Sequence, residues 1–480
     1  MRHFNEARQA TVAVLQQNDA LLARAVLIDD VFGRIRVVVW LAEEANRDAV
    51  EGLREELTKA AGPFWAGDLW LANGADTADQ QVYEGVWAEG EEKTQKLRVS
   101  ERSRTRGFWL EAPSQPAWSL EGQEKSAPIV AFYSFKGGVG RTTALASFAI
   151  LRAQQGERVA VLDLDLDAPG VGLLLSPASL PGPALRISED LMLGSPIEGS
   201  PLEGTDPHGY NHATDSSSLG PPLDHSGSLS AASSCGVVDY LLEAPLIEEL
   251  DLKDYYHVCA REAVTGAGEI MVFPSGIMDS DYLATLARLD LEPPHAGKDH
   301  PLLRLLQQVR DELHPNWILL DCRAGLSEAS GFALSGLAHL TVLLGTTSDQ
   351  SWAGLDLVLG RLGGDRVRKS KPQSQCLIVH AMVPEYPSVG QAAKEQFAAR
   401  AAEEFERFYY AEDPSDPDED GYWYVRDMET DDAPHVPVTL SYTPRLAFLR
   451  SIEDAVSVFQ ESEYRALEVR ISSRFAKEES

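Results

Sequence analysis

The stretch Ser134-Phe135-Lys136-Gly137-Gly138-Val139-Gly140-Arg141-Thr142-Thr143 constrains the fold of this chain most. An apolar run, PIVAFYS (128–134), precedes it, and a helical pattern, TTALASFAILRAQQ (142–155), follows. Strand, glycine loop, helix is the setting that a phosphate loop requires. Gly137, Gly138 and Gly140 let the backbone come close to phosphate oxygens and turn N–H groups inward. The helix beginning near Thr142 adds its positive dipole end. Thr142 stands where a hydroxyl can ligate Mg²⁺, and Val139 and Thr143 complete the cradle.

The alternation continues downstream. RVAVLDLD (158–165) reads as a second buried strand. WILLD (317–321), LTVLLGT (340–346), CLIVHAMV (376–383) and VPVTL (436–440) read as further apolar strands. Strands alternating with helical patterns predict an α/β fold with a mostly parallel sheet flanked by helices. Carboxylates stand at the carboxyl ends of two of these strands, over the ligand crevice of an open sheet. They are Asp163, Asp165 and Asp167 after the second strand, and Asp321 closing WILLD. Asp321 can hold a Mg²⁺ water, and phosphoryl transfer asks the protein for such positioning rather than covalent chemistry.

The glycine segment resembles the ParA/MinD family of deviant Walker A ATPases, whose signature is K-G-G-x-G-K-[ST]-[ST]. The resemblance covers roughly residues 128–175, the strand at 317–345 and, more weakly, 376–460. It implies ATP and Mg²⁺ as ligands and an ATP-dependent sandwich homodimer in which Lys136 reaches the partner's nucleotide. It also implies that Asp163 orients the attacking water, with Asp165 as its companion near Mg²⁺ beside Thr142 and Asp321. The usual second lysine is replaced by Arg141, which keeps the charge but is planar and bidentate. Arg141 could bridge phosphates, or make hydrolysis slow or abolish it. The K-G-G-V-G-R form resembles a branch found in bacterial gene clusters, some linked to conflict with phage, which implies antiviral defence. Cys322-Arg323-Ala324-Gly325 follows Asp321 where the family has its switch. Arg323 either senses the γ-phosphate or pairs with Glu328. The family's base-reading Asn has no counterpart, since the strand here ends His380-Ala381-Met382. Tyr442 through Arg445 either wall the base or pack in the core.

Residues 1–110 are expected to form a small α+β regulatory or docking domain. The expected elements are a helix over 4–19, two strands around an Asp-Asp-Val-Phe-Gly turn, an amphipathic helix and the strand FWAGDLWLAN. No catalytic constellation is visible there. Residues 111–126 are expected to link it to an ATPase domain over 127–475. Arg98, Arg102, Arg104 and Arg106 form a basic cluster near that linker, either solvated among Glu side chains or meeting an acidic partner or phosphate. Residues 176–234 are rich in Ser, Gly and Pro and are expected to be a mobile insert, and 411–421 a solvated acidic loop. Asp281-Tyr282-Leu283 follow the strand GEIMVFP, either as a partner-contacting loop or as a turn with Tyr282 in the core.

A net charge of −32 works against anionic surfaces, so membrane and nucleic-acid partners are not expected. Neither a spanning apolar run nor an apolar secretory stretch is present, which predicts a cytoplasmic chain. Cys235, Cys259, Cys322 and Cys376 lack metal or disulfide spacing. Three functions compete. The first is a slow ATPase switch signalling to an unidentified protein through the N-terminal domain. The second is a DNA-associated partitioning ATPase using Arg445, Arg450, Arg465, Arg470 and Arg474. The third is a non-hydrolysing nucleotide sensor or scaffold.

Overall fold

A computed structural model of the chain describes residues 3–30, 33–43, 45–73, 75–101, 109, 116–120, 126–175, 235–289, 291, 300–363, 374–412, 423–447 and 451–476. The expected insert at 176–234 and most of the acidic loop at 411–421 lie outside these residues, as do Arg102, Arg104, Arg106 and Arg450. The chain divides into two compact units, Met1–Leu110 and Glu111–Ser480.

The N-terminal unit is a five-stranded sheet in the order β3-β2-β1-β5-β4. Its strands are β1 (Leu22–Asp29), β2 (Ile35–Leu41), β3 (Trp65–Leu71), β4 (Glu91–Thr94) and β5 (Leu97–Glu101). Alternation along β1 and β2 splits their side chains between two faces. Ala25, Leu27, Val37 and Val39 pack against α1 (Phe4–Gln17) and α2 (Arg47–Ala61) through Ala7, Leu15, Leu53 and Leu57. Val26, Ile28 and Val38 face α3 (Thr77–Glu89), where Val86, Trp87 and Tyr83 join Trp40 and Trp70. The turns into α2 and α3 repeat one device. Asn46 accepts from the Ala49 N–H at 2.8 Å, and Asp76 accepts from the Asp79 N–H at 2.9 Å. Both are side-chain N-caps, which satisfy an otherwise orphaned helix donor.

Of the basic cluster near the expected linker, Arg98 lies in strand β5. Its guanidinium donates to the Trp87 carbonyl at 2.8 Å while lying 4.6 Å from the Trp87 ring centre. Sheet pairing with β1 is what recruits it.

The C-terminal unit is built on an eight-stranded sheet in the order β13-β12-β11-β6-β10-β7-β9-β8. The strands are β6 (Ile129–Ser134), β7 (Arg158–Leu164), β8 (His257–Cys259), β9 (Glu269–Phe273), β10 (Trp317–Cys322), β11 (Leu340–Gly345), β12 (Cys376–Val383) and β13 (Val438–Ser441). All pairings are parallel except β8 with β9 at the edge. Such a sheet must be covered on both faces, and its central strands are accordingly buried throughout. One face carries α4 (Arg141–Gln154), whose Ala144, Leu145, Phe148 and Ile150 are fully buried together with Val130, Val161 and Leu319. Phe148 meets the Trp317 ring edge-on at 5.1 Å. On the opposite face, Trp352 of α5 (Asp349–Leu362) and Phe397 of α6 (Pro387–Phe408) pack 4.9 Å apart, and His380 of β12 stacks on Phe397. Among the described residues no helix is long and apolar enough to cross a membrane.

Chain order sets the site. β6 sits between β11 and β10, so the chain leaves it toward β7 on one side and later returns to β11 on the other. The loop after β6 therefore opens at the reversal of strand order, where open α/β sheets bind ligands.

Candidate functional site

Backbone conformation builds the loop. Gly138 has φ +72° and Gly140 φ +85°, both in the left-handed region that glycine enters without strain. Gly140 is also the residue that precedes α4, so the helix begins at Arg141 with its first N–H groups facing the loop. Gly137, Gly138 and Gly140 are exposed and Val139 is buried beneath them. Phe135 anchors the other side: its ring lies against Gly354 of α5, where any β-carbon would collide with it. Lys136, Thr142 and Thr143 are half-buried at the loop's rim.

Parallel register brings the acids together. Asp321 of β10 pairs directly with Asp163 of β7, so the two stand side by side at the same level of the sheet. Both are completely buried, and Asp165 is 8% exposed. The Asp163 carboxylate accepts backbone N–H groups from Asp165 and Gly170, each at 3.1 Å, and from Gly172 at 3.5 Å. Burial, reinforced by Asp321, still pushes its carboxyl up to about 7 despite those donors. Burial also raises Asp321, and the Arg141 charge and the Thr142 hydroxyl oppose it.

Arg141 turns inward. Its Nε donates to Asp321 Oδ1 at 2.7 Å and its Nη2 to Asp165 Oδ2 at 2.8 Å. Thr142 Oγ1 donates to Asp321 Oδ2 at 2.7 Å. Burial works against the guanidinium's charge, but Asp321 and Asp165 more than offset this and hold its pKa above the ordinary value. Lys136, five positions earlier, makes no such pair among the described residues.

The remaining sequence candidates are distributed around this centre. Arg323 pairs with Asp167, rather than with Glu328 as one reading had it. Asp167 thus stands apart from the buried acids, as the partner of Arg323. Gly325, at φ +75°, donates its N–H to the Ser134 carbonyl at 3.3 Å and accepts the Tyr133 hydroxyl at 3.2 Å, which fastens the segment after β10 to the root of the loop. Tyr282 is buried, and its hydroxyl donates to the Leu166 carbonyl at 2.7 Å. It therefore braces the turn after β7 from within. His380 is buried against Phe397, whereas Met382, at φ 59°, presents its side chain outward at the strand's end. Tyr442 is 40% exposed beside it, its N–H bonded to the Val383 carbonyl at 2.9 Å. The C-terminal arginines are occupied: Arg445 pairs with Glu461, Arg474 with Asp432, and Arg470 donates to the Asp431 and Ala433 carbonyls.

Two features escaped sequence reasoning. One is the set of N–H groups from Asp165, Gly170 and Gly172 that encloses Asp163. Its signal was Pro169-Gly170 directly after the acidic run. The other is the lock between Phe135 and Gly354, for which separation in sequence left no signal.

The donor set that would take magnesium is a hydroxyl and two carboxylates, all hard oxygen ligands suited to that ion. Thr142, Asp321 and Asp165 meet that chemistry, with Arg141 lying between the two acids. Among the described residues no group of three or more His, Cys, Asp or Glu side chains is arranged to hold a metal ion.

Residues 130–270 match the model of the CobQ/CobB/MinD/ParA nucleotide binding domain. An iron-sulfur cluster carrier protein of Pseudomonas fragi is 35% identical over 92 residues, covering 19% of this chain and 31% of the relative. The chloroplastic Fe-S cluster assembly factor HCF101 of Oryza sativa subsp. japonica is 28% identical over 185 residues, covering 37% of this chain and 31% of the relative. The chain thus spans about a third of the length of the curated relatives it matches. The cell division ATPase MinD of Pyrococcus furiosus is similar at 16% identity and a TM-score of 0.39, over 72% of this chain and 99% of that one. The matched residues include β6 from Val130 on, the glycine loop, α4 and the Asp163–Asp165 turn. Over residues 130–270 this chain is therefore similar to the CobQ/CobB/MinD/ParA nucleotide binding domain.

Proposed function

We propose that the chain is an ATPase that acts as a nucleotide-dependent switch. The observation that carries this reading is the convergence, at the carboxyl edge of one parallel sheet, of a glycine loop, a helix N-terminus, two cations and three carboxylates. Backbone N–H groups at 137–143 and the start of α4 would hold the phosphates. Thr142, Asp165 and Asp321 would hold Mg²⁺, which when bound draws charge from the phosphate oxygens.

Asp163 is the residue suited to orient water. Its carboxyl sits near neutrality and is fixed by three backbone N–H groups. A base poised near the working pH is the most effective kind. Lys136 has no ion-pair partner of its own among the described residues, so its charge is available to a nucleotide across a homodimer interface. The Gly325 segment, hydrogen-bonded to the loop's root, is the element through which phosphate occupancy would reach the rest of the unit. Assembly over Mg-ATP, a protein partner reached through the N-terminal unit, and a role in antiviral defence complete the reading. The last rests on the family resemblance.

Calorimetric titration with ATP and Mg²⁺, paired with phosphate release and sedimentation, tests the core of it. Wild-type protein should bind ATP, release phosphate slowly and sediment as a dimer with ATP. Lys136→Ala and Thr142→Ala should both lose the ATP-dependent dimer. ATP-dependent assembly by both variants at the parental level would end the switch model.

A further inference from the structure

The two acids assigned to the metal have no oxygen to spare. Asp321 Oδ1 accepts from Arg141 Nε at 2.7 Å and Oδ2 from the Thr142 hydroxyl at 2.7 Å. Asp165 Oδ2 accepts from Arg141 Nη2 at 2.8 Å and Oδ1 from the Ala168 N–H at 3.3 Å. One planar guanidinium thus bridges both carboxylates with two different nitrogens, a geometry a lysine ammonium lacks. The clamp is sheltered, with Arg141 8% exposed and Asp321 fully buried. A divalent cation drawing on these carboxylates and the hydroxyl would meet the guanidinium's positive charge between them, and like charges that close repel strongly in a dry site.

We infer that Arg141 is a built-in competitor of the divalent cation: it neutralises Asp165 and Asp321, and the metal enters only when phosphate draws the guanidinium away. Phosphate is a fitting lure, because arginine binds its oxygens through the same bidentate fork. The substitution of arginine in the glycine loop then does more than preserve a charge. It couples metal binding to nucleotide binding, and the coupling is reciprocal. This inference rests on the proposed reading of Thr142, Asp165 and Asp321 as the metal's ligands.

Mn²⁺ is the probe, titrated into the full-length, nucleotide-free chain, with free Mn²⁺ followed by electron paramagnetic resonance. Arg141→Gln should bind Mn²⁺ at least about tenfold more tightly than wild type, as expected when a buried positive neighbour is removed. Arg141→Lys keeps the charge but offers both acids a single nitrogen, and its affinity should lie between the two. Thermal melts give a second readout: Mn²⁺ should raise the melting temperature of Arg141→Gln and leave wild type unmoved. Equal Mn²⁺ affinity in wild type and both variants, or weaker binding by the variants, would overturn the inference, as would no binding by any of them. Calorimetry with ATP on the same samples keeps the two questions apart. Failure of wild type to bind ATP would end the nucleotide reading without altering the Mn²⁺ comparison, which uses no nucleotide.

Discussion

The two units of this chain handle charge in opposite ways. In the N-terminal unit most paired charges stay at the rim of the sheet, with Asp29, buried and paired with Arg8 at 3.1 Å, as an exception. Arg24 lies 4.3 Å from the Trp40 ring centre and pairs with Glu84, Arg36 lies 5.2 Å from that of Trp70, and Lys96 meets Asp19 at 3.2 Å. In the C-terminal unit, Arg141, Asp165 and Asp321 are taken inside with Asp163 beside them. Rim charges keep their water and contribute little to stability. Buried charges lose their water, so each becomes dependent on its partners, and their pKa values move. A fold retains such an arrangement where chemistry needs it, which marks the carboxyl edge of the eight-stranded sheet as the working end of the molecule.

The largest test of that contrast is chemical. Asp163→Asn should lower phosphate release by about a hundredfold or more, the range expected for a lost proton-handling group. The pH profile carries the sign. Below about 7 the Asp163 carboxyl is protonated, because burial and Asp321 favour the neutral form; above it, the carboxylate prevails. Phosphate release should therefore rise with pH through neutrality in the wild type. A profile that stays flat between pH 6 and 8 would remove Asp163 from the water-handling role.

Next in size is the consequence of breaking the buried cluster. Asp321→Ala leaves Arg141 inside the protein with Asp165 alone and strips Thr142 of its acceptor. Removing one partner of a buried pair is expected to destabilise by about 3–5 kcal/mol. Urea unfolding should show this as a lower midpoint with an unchanged slope. A change below 1 kcal/mol would mean that the acids are far better hydrated than their burial indicates.

Much of this end of the molecule was legible before any coordinates. Apolar runs bounded by glycine and acid placed β6, β7 and β10 correctly, because a strand buried on both faces leaves an unmistakable continuous pattern. Asp321 beside Asp163 follows from two such strands ending in carboxylates, once they are neighbours. Their adjacency was not legible, since β10 joins β6 and β7 across more than a hundred residues of intervening chain. The direction of Arg141 was hidden for the same reason: motif spacing points it at phosphate, and only the spatial arrival of Asp165 and Asp321 turns it inward. In the N-terminal unit α3, β4 and β5 went unread. The Trp and Tyr residues of α3 sit on one face against the sheet, but the helix is too polar elsewhere for a strong periodic signal. The shared capping device of Asn46 and Asp76 would have revealed it, as both precede a helical stretch after a Trp-Leu-Ala strand end.

A packing test comes next in magnitude. Gly354→Ala would set a methyl group into the Phe135 ring at the root of the glycine loop. Overpacking of this kind destabilises by about 1–3 kcal/mol. Since Phe135 immediately precedes Lys136, ATP affinity should fall together with the melting temperature. Unchanged ATP affinity in a destabilised Gly354→Ala protein would show that the ring supports the fold without shaping the loop.

The smallest expected effect lies at the rim of the N-terminal unit, and it sharpens the comparison best. Arg24 donates to Glu84 at 3.0 Å through Nη1, with a second contact through Nη2, and Glu84 is half exposed. A double-mutant cycle of Arg24→Gln and Glu84→Gln should return a coupling of about 0.2–1 kcal/mol, which shrinks further in salt. The single Arg24→Gln change should lose somewhat more, because it also removes the guanidinium from the faces of Trp40 and Trp87, worth about 0.5–1 kcal/mol at an exposed site. The difference between those two measurements separates charge pairing from aromatic stacking. A coupling of several kcal/mol that survives high salt would show this pair to be desolvated like Arg141 and its acids, and the distinction between rim and interior charges would no longer divide the two units.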